Sequence, residues 1–348
     1  MPLEPDRRPE SCIVVGAGMA GLMAARRLTS AGVRVLVVDK GRGVGGRMAT
    51  RRAPGLPAGR AGVWDHGAQF FTAREEAFRT LVSGWLDSGV AQIWADAFPG
   101  DAAPEASRPH PRYRGTSGMA GVAKFLARGL DVHLSARVVA LRLRDRRWQL
   151  ETEAGDRHVA DAVVLTPPVP QSLSLLDAGG VKLHDSLRSG LEGIAYAPCI
   201  AILARLEGRS AVPEPGGVRL SGEPLAWIAD NRVKGISPEA TTLTLHAGPV
   251  FSRAQWDSDL DGLARFLLEQ ARPWLGTEAS DWQVHRWLYS QPTVTHPNRC
   301  VSIPDCGAPL VLCGDAFGGP RVEGAALSGI AAAARLLGAD AGSRDDAL

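Results

Sequence analysis

Apolar and polar positions change period several times along the chain, and the changes mark its elements. Residues 12–15 are an unbroken apolar run, the pattern of a strand buried on both faces. Residues 19–28 are rich in Ala and Leu with apolar side chains at helical spacing, which predicts a helix. A second apolar run, residues 33–38, ends at Asp39. Residues 85–118 read as loop-rich, broken by Pro99, Gly100, Pro104, Pro109 and Pro111. A short helix is predicted over 119–128, followed by strands at 132–134, 137–143, 148–152 and 162–165, the last ended by Pro167 and Pro168. Strand-like runs recur at 199–206 and 241–246, a helix at 260–272, a buried strand at 310–315 and a final helix at 322–337.

The alternation of strand and helix predicts an α/β chain built on a doubly wound parallel sheet. Between the first strand and helix stand Gly16, Gly18 and Gly21. The first permits the tight turn, the second lets backbone amides approach a pyrophosphate, and the third lets helix and strand pack closely. A phosphate there meets the positive end of the helix dipole. Asp39 closes the second strand, where a carboxylate accepts hydrogen bonds from ribose hydroxyls and repels a 2'-phosphate. This combination predicts dinucleotide binding. The extension from Lys40 through Gly45, Gly46 and Arg47 offers further amides and a guanidinium to a pyrophosphate and favours FAD. A third element agrees: Asp315 would accept from a ribityl chain, and the helix beginning near Val322 would aim its amides at the charge that develops on a reduced flavin.

At 348 residues the chain is long enough for two domains, and a net charge of +2 argues against a dedicated nucleic-acid surface. The arginines at 142–147 read as the solvated edge of a strand pair. The cysteines at 12, 199, 300, 306 and 313 have neither metal-ligand nor redox spacing, and their odd number argues against a disulfide framework, so a reduced cytoplasmic protein is expected. No apolar run approaches the roughly 20 residues that span a bilayer. The pair Arg7-Arg8 resembles an export signal, but the run after it is committed to the first strand and helix. Only a short polar tail, residues 342–346, departs from ordinary composition.

Several motifs, in order across residues 11–337, resemble the renalase family, especially its bacterial members. They are Gly45-Gly46-Arg47-Met48, the run Asp65-His-Gly-Ala-Gln69-Phe70-Phe71-Thr72-Ala73-Arg74, His285-Arg-Trp287-Leu-Tyr289, and Cys313-Gly-Asp315 with Arg321-Val-Glu-Gly-Ala-Ala-Leu-Ser-Gly. The resemblance implies a noncovalent FAD enzyme with a p-hydroxybenzoate-hydroxylase-like fold, a Rossmann-type FAD-binding domain interleaved with a mixed-sheet α+β substrate domain. The expected division is 11–72, 112–170 and 282–340 for FAD, with 73–111 and 171–281 for substrate. The implied reaction oxidises 2- or 6-dihydro isomers of NAD(P)H, with oxygen as final acceptor, to NAD(P)+ and hydrogen peroxide.

Hydride loss from a dihydropyridine gives an aromatic cation directly, so no general base is required and no side chain is singled out as catalytic; positioning carries the rate. His66, His246 and His285 are therefore read as hydrogen-bonding scaffold. The cofactor-binding residues implied are Gly16, Ala17, Gly18, Met19, Ala20, Gly21, Asp39, Lys40, Gly45, Gly46, Arg47, Met48, Gly67, Ala68, Gln69, Val138, Gly314, Asp315, Val322 and Glu323. Gln69, Phe70, Phe71 and Thr72 are expected to line the substrate pocket. Trp287 and Tyr289, two apart and so on one strand face, form an opposite wall or else core packing. Arg321, and with less support Arg112 and Arg114, are candidates for substrate phosphates.

Two other readings stay open. A flavin amine oxidase shares the nucleotide elements, but its aromatic cage commonly places a tyrosine where Arg321 and Val322 stand, and neither Lys182 nor Lys234 sits on a convincing strand for the lysine such enzymes carry. A flavin-containing or nucleotide-sensing protein without turnover is the third.

Overall fold

The computed structural model describes residues 8–53, 61–101, 110–304 and 306–338. Arg7, Pro104, Pro109 and the polar tail at 342–346 lie outside the described residues. The chain forms two compact units, Met1–Gly46 with Ala123–Ala195 and Pro292–Leu348, and Arg47–Val122 with Tyr196–Gln291.

The first unit is built on a six-stranded sheet in the order Cys300–Ser302, Leu310–Cys313, Ala162–Leu165, Ser11–Val15, Arg34–Val38, Asp131–His133. All pairings are parallel except at the Cys300–Ser302 edge. The continuous apolar runs are explained by this order: Ser11–Val15, Ala162–Leu165 and Leu310–Cys313 are buried throughout, as strands covered on both faces must be. Helices Met19–Ser30 and Val322–Leu336 cover the sheet and pack on each other. Their approach is close enough that a Cβ on Gly329 would overlap the Ala20 carbonyl. An antiparallel sheet of Val138–Arg144, Arg147–Thr152 and Arg157–Ala160 completes the unit. Its first hairpin carries the arginine cluster on a solvated edge, with Arg144 opposite Arg147 and Arg142 paired to Glu151 at 2.6 Å.

The second unit holds a five-stranded antiparallel sheet in the order Gly217–Arg219, Leu225–Asp230, Thr242–Ala247, Tyr196–Leu206, Ala279–Pro292. Helix Leu260–Gln270 lays Leu263, Ala264, Leu267 and Leu268 against Ile200, Ile202, Leu243 and Leu245 in its core. The helix expected over 260–272 stops at Gln270, and Pro273 opens a separate short helix, Arg272–Leu275. The segment read as loop-rich also holds more order than expected: helix Glu76–Asp87 runs into it, and Ala91–Ala95 pairs with Arg112–Gly115.

The units divide the chain differently from the expected domains, and the packing gives the reason. Residues 47–72 join the second unit because strand Gly62–Asp65 lies on its large sheet, with the Trp64 indole donating to the Ala204 carbonyl at 3.0 Å. Residues 171–195 join the first because helix Val169–Ala178 packs on strand Val138–Arg144, its end so close that a Cβ on Gly179 would overlap the Leu141 carbonyl. No helix among the described residues is long and apolar enough to cross a membrane.

Candidate active site

In the first unit the site is a cradle of backbone. Gly16 turns the chain with φ of +106°, and a Cβ on Gly21 would overlap the Gly16 carbonyl, so both positions are closed to larger residues by the protein itself. Gly18 is different: no heavy atom lies within 4 Å of where its Cβ would stand. Neither packing nor backbone conformation requires a glycine there, and the space is open to a ligand. Gly18 is also the N-cap of helix Met19–Ser30 and supplies no side chain to the first-turn amides around Met19, Ala20 and Gly21.

The second glycine segment is tied to this turn, since Gly45 donates to the Ala17 carbonyl at 2.8 Å. Asp39 organises both sides, its two carboxylate oxygens accepting from the amides of Ala17 and Gly41 at 2.6 Å each. An ionised carboxylate has about four acceptor sites, so capacity for ribose hydroxyls remains. The Lys40 ammonium donates to Gln171 at 3.3 Å, and burial with repulsion from Arg137 holds its pKa below the ordinary lysine value against the pull of Asp39.

The third element follows the same design. The Ser328 hydroxyl accepts from the Gly314 amide at 2.8 Å and donates to the Arg299 carbonyl, fixing the turn that presents Asp315. Helix Val322–Leu336 begins without a side-chain cap after Arg321, which is exposed, while Glu323 is buried in its first turn. Val138 opens its strand half-buried. Uncapped helix starts, open space at Gly18 and acidic groups at both strand ends fit a dinucleotide cofactor.

In the second unit the site is made of side chains. Strands Thr50–Ala53 and Gly62–Asp65 form a hairpin that delivers the turn Asp65 to Gln69. The turn is clamped against its neighbour: Ala68 donates to the Arg47 carbonyl at 2.8 Å, and Gly67 approaches the same carbonyl too closely for a Cβ. Met48 is buried beside it in sequence. One guanidinium nitrogen of Arg47 donates to the carbonyls of Tyr289 and Ser290 at 3.2 and 3.4 Å.

Asp65 and Lys234 form a fully buried ion pair at 2.7 Å that the sequence reading missed. Lys234 also donates to the Gln69 carbonyl at 2.6 Å and lies 4.6 Å from the Trp94 ring centre. Burial pushes its pKa down while Asp65 opposes the change. The other carboxylate oxygen of Asp65 accepts from the Thr50 hydroxyl and the Met119 amide. The Gln69 side-chain amide donates to the carbonyls of Asp65 and Gly67 at 2.5 and 3.1 Å.

His66 begins an aromatic wall. Its ring stacks on Trp287 at 5.2 Å and meets His285 edge-on at 4.7 Å, while His285 meets Trp287 at 4.3 Å. The His66 carbonyl accepts from the Trp287 indole at 2.8 Å and lies 3.2 Å from His246 Nε2. Burial, then the neighbours His285, Arg51 and His246, push His66 down to about 3; burial and Lys234 push His246 down to about 4 against the hydrogen bond to the His66 carbonyl; burial and Arg51 lower His285. All three imidazoles are neutral at pH 7. Trp287 and Tyr289 are half-buried on one face of the long strand Ala279–Pro292, and Tyr289 meets Tyr196 at 5.3 Å.

Other expected lining residues lie elsewhere. Phe71 is a core ring, 3% exposed and packed on Phe78, Trp85 and Tyr113. Phe70 joins Trp94, Phe98 and Trp227 in a separate cluster, and Thr72, next after Phe71, is half-buried. Arg112 is tied to Asp101 at 2.9 Å and Arg114 is buried on the carbonyls of Gly115 and Thr116, so both serve structure.

The model of the flavin containing amine oxidoreductases matches residues 107–337, about two-thirds of the chain. The chain belongs to that family. A model of the NAD(P)-binding Rossmann-like domain matches residues 14–84. Among curated proteins the chain is similar to mouse renalase, 26% identical over 318 residues that cover 87% of this chain and 91% of renalase. In fold it is similar to a putative protoporphyrinogen oxidase from Exiguobacterium sp. 255-15, with TM-score 0.70 and 15% identity over 94% of this chain and 98% of that one. Putrescine oxidase bound to putrescine gives TM-score 0.65 and 16% identity over 96% and 100%. This flavoprotein family membership makes FAD the cofactor, as the cradle predicts, and the chain an FAD-dependent oxidoreductase.

Proposed function

We propose that the protein is a renalase-like dihydro-NAD(P) oxidase, taking a hydride from 2- or 6-dihydro isomers of NAD(P)H in the cytoplasm. The observation that carries this reading is the His66, His285 and Trp287 wall: three flat, neutral surfaces beside which the charge acting on both imidazoles is the Arg51 guanidinium. A planar, phosphate-bearing substrate suits that field; an ammonium is repelled by it. Bound FAD would supply two-electron acceptance, so that the substrate's hydride and one further proton would end on oxygen as hydrogen peroxide, leaving NAD(P)+. The side chains bind and orient; imidazoles whose pKa is lowered by burial are poor bases, and aromatisation of the ring needs none.

The proposed cofactor contacts are Gly16, Ala17, Gly18, Met19, Ala20, Gly21, Asp39, Lys40, Gly45, Gly46, Val138, Gly314, Asp315, Val322 and Glu323 from the first unit. Gly67, Ala68, Gln69, Arg47 and Met48 of the second unit are proposed cofactor contacts as well. Trp287 and Tyr289 are the proposed substrate wall, with Arg321 a further phosphate contact.

Family membership makes amine oxidation the competing reading. Against it, Lys234, one of the two lysines weighed for that role, is 1% exposed and holds Asp65 and the Gln69 carbonyl. Anaerobic stopped-flow spectra separate the two. Bleaching of the flavin by 2- or 6-dihydro-NAD(P) and not by putrescine is the expected result; bleaching by primary amines alone overturns the proposal.

A further inference from the structure

Arg51 stands in strand Thr50–Ala53, directly opposite Trp64. Pairing continues one step further, as the His66 amide donates to the Ala49 carbonyl at 3.3 Å. Directly opposed residues of an antiparallel pair point the same way, and alternate residues share a face, so Arg51 and His66 lie diagonally on one face of the hairpin. A long side chain spans that diagonal. In keeping with that placement, repulsion from Arg51 contributes to lowering both His66 and His285.

What distinguishes Arg51 from Arg47, Arg112, Arg114 and Arg142 is its lack of engagement, and from the exposed Arg144 its partial burial. Arg112 and Arg142 hold carboxylates, and Arg47 and Arg114 hold carbonyls. Arg51 is half-buried, yet among the described residues its guanidinium has no hydrogen bond or salt bridge. A partly desolvated cation held beside an aromatic wall without a counter-ion is costly unless an anion arrives to use it.

We infer that Arg51 is the residue that recognises the substrate as a phosphorylated nucleotide, its guanidinium taking a phosphate while the wall takes the ring. This rests on the proposed dihydronicotinamide reading and deepens it: specificity for a dinucleotide over a bare dihydropyridine is placed on one side chain. The planar fork of arginine binds phosphate bidentately, which a lysine does only as a point charge.

The test compares holoenzyme and its Arg51→Gln and Arg51→Lys variants on two reductants, 6-dihydro-NAD and 6-dihydro-1-methylnicotinamide, which carries no phosphate. For Arg51→Gln the KM for the dinucleotide should rise roughly 10- to 100-fold, the size of a lost charge-assisted contact, with kcat little changed. The methylated compound should react alike with both proteins, flavin content should be unaltered, and Arg51→Lys should recover part of the loss. An unchanged dinucleotide KM, an equal loss on both reductants, or loss of flavin instead would overturn the assignment. If neither compound bleaches the wild-type flavin, the redox reading fails on its own. Equilibrium binding of NAD+ then decides Arg51, tighter binding by wild type than by Arg51→Gln supporting it and equal or absent binding refuting it.

Discussion

The glycine cradle of the first unit and the Asp65 to Gln69 turn of the second solve the same problem by opposite means. In the cradle, the groups offered to a ligand are main-chain amides, and what matters about each side chain is its absence. In the turn, the groups are side chains held by partners far away in sequence: Asp65 by Lys234, 169 residues on, and the His66 carbonyl by Trp287, 221 residues on. The cradle is therefore sensitive above all to added bulk, Asp39 being the side chain that holds it by charge. The turn is sensitive to charge and hydrogen bonding, because its polar groups are buried where an unmatched partner is expensive.

The largest effect tests the cradle against itself. Gly21→Val places side-chain atoms into the Gly16 carbonyl and should abolish both the helix–strand packing and flavin retention. Gly18→Val meets open space, so the folded apoprotein should keep its melting temperature within a few degrees while the flavin-to-protein absorbance ratio collapses. Equal destabilisation by the two would mean that Gly18 serves packing and not a ligand.

The next effect breaks the turn. Lys234→Met leaves the Asp65 carboxylate buried without its counter-ion, a loss of about 3–5 kcal/mol by urea unfolding. Removing both charges together, in Lys234→Met with Asp65→Leu, should cost less than the sum, because each single change strands a partner. An additive pair would show that the two groups are independent.

A smaller effect follows from the depressed imidazoles. His66 and His246 titrate in the fold at about 3 and about 4, below the ordinary 6.5, so their contribution to stability is complete above the unfolded value and is lost as pH falls toward the folded one. Each approaches a slope of about 1.4 kcal/mol per pH unit in that window. Unfolding free energies of wild type between pH 6 and 4.5 should fall more steeply than those of His246→Gln, by about that slope. Parallel lines would place His246 in contact with water.

These contrasts also explain what was legible in the sequence. Gly16, Gly18, Gly21 and Asp39 signal through short-range spacing, because strand, turn and helix are consecutive, and the structure sets them where the spacing puts them. Helix Glu76–Asp87 is marked in the sequence too, by Phe78, Val82 and Trp85 on one face, although the proline-rich stretch beyond it has no such period. Lys234 is not so marked. It follows a strand in a turn and looks like any surface lysine until folding brings Asp65 to it. Phe71 misled for a related reason: a motif fixes position along the backbone, while the ring turns toward Phe78 and Trp85, which the motif does not contain.

The smallest effect concerns Trp287, where the two regions' logic meets in one side chain. Trp287→Phe keeps a flat apolar face for the wall but deletes the indole donor to the His66 carbonyl, which retains His246 as its other partner. Because that carbonyl is not left wholly unsatisfied, the stability cost should be about 1 kcal/mol by denaturant unfolding. If the ring acts as a surface for substrate, the KM for a dihydronicotinamide should move by no more than a few-fold in Trp287→Phe and far more in Trp287→Ala, where the surface itself is lost. If instead the hydrogen bond is what matters, because it aims His66, the two variants should be equally impaired. The wall would then work as the rest of the turn does, through a polar contact with a distant strand.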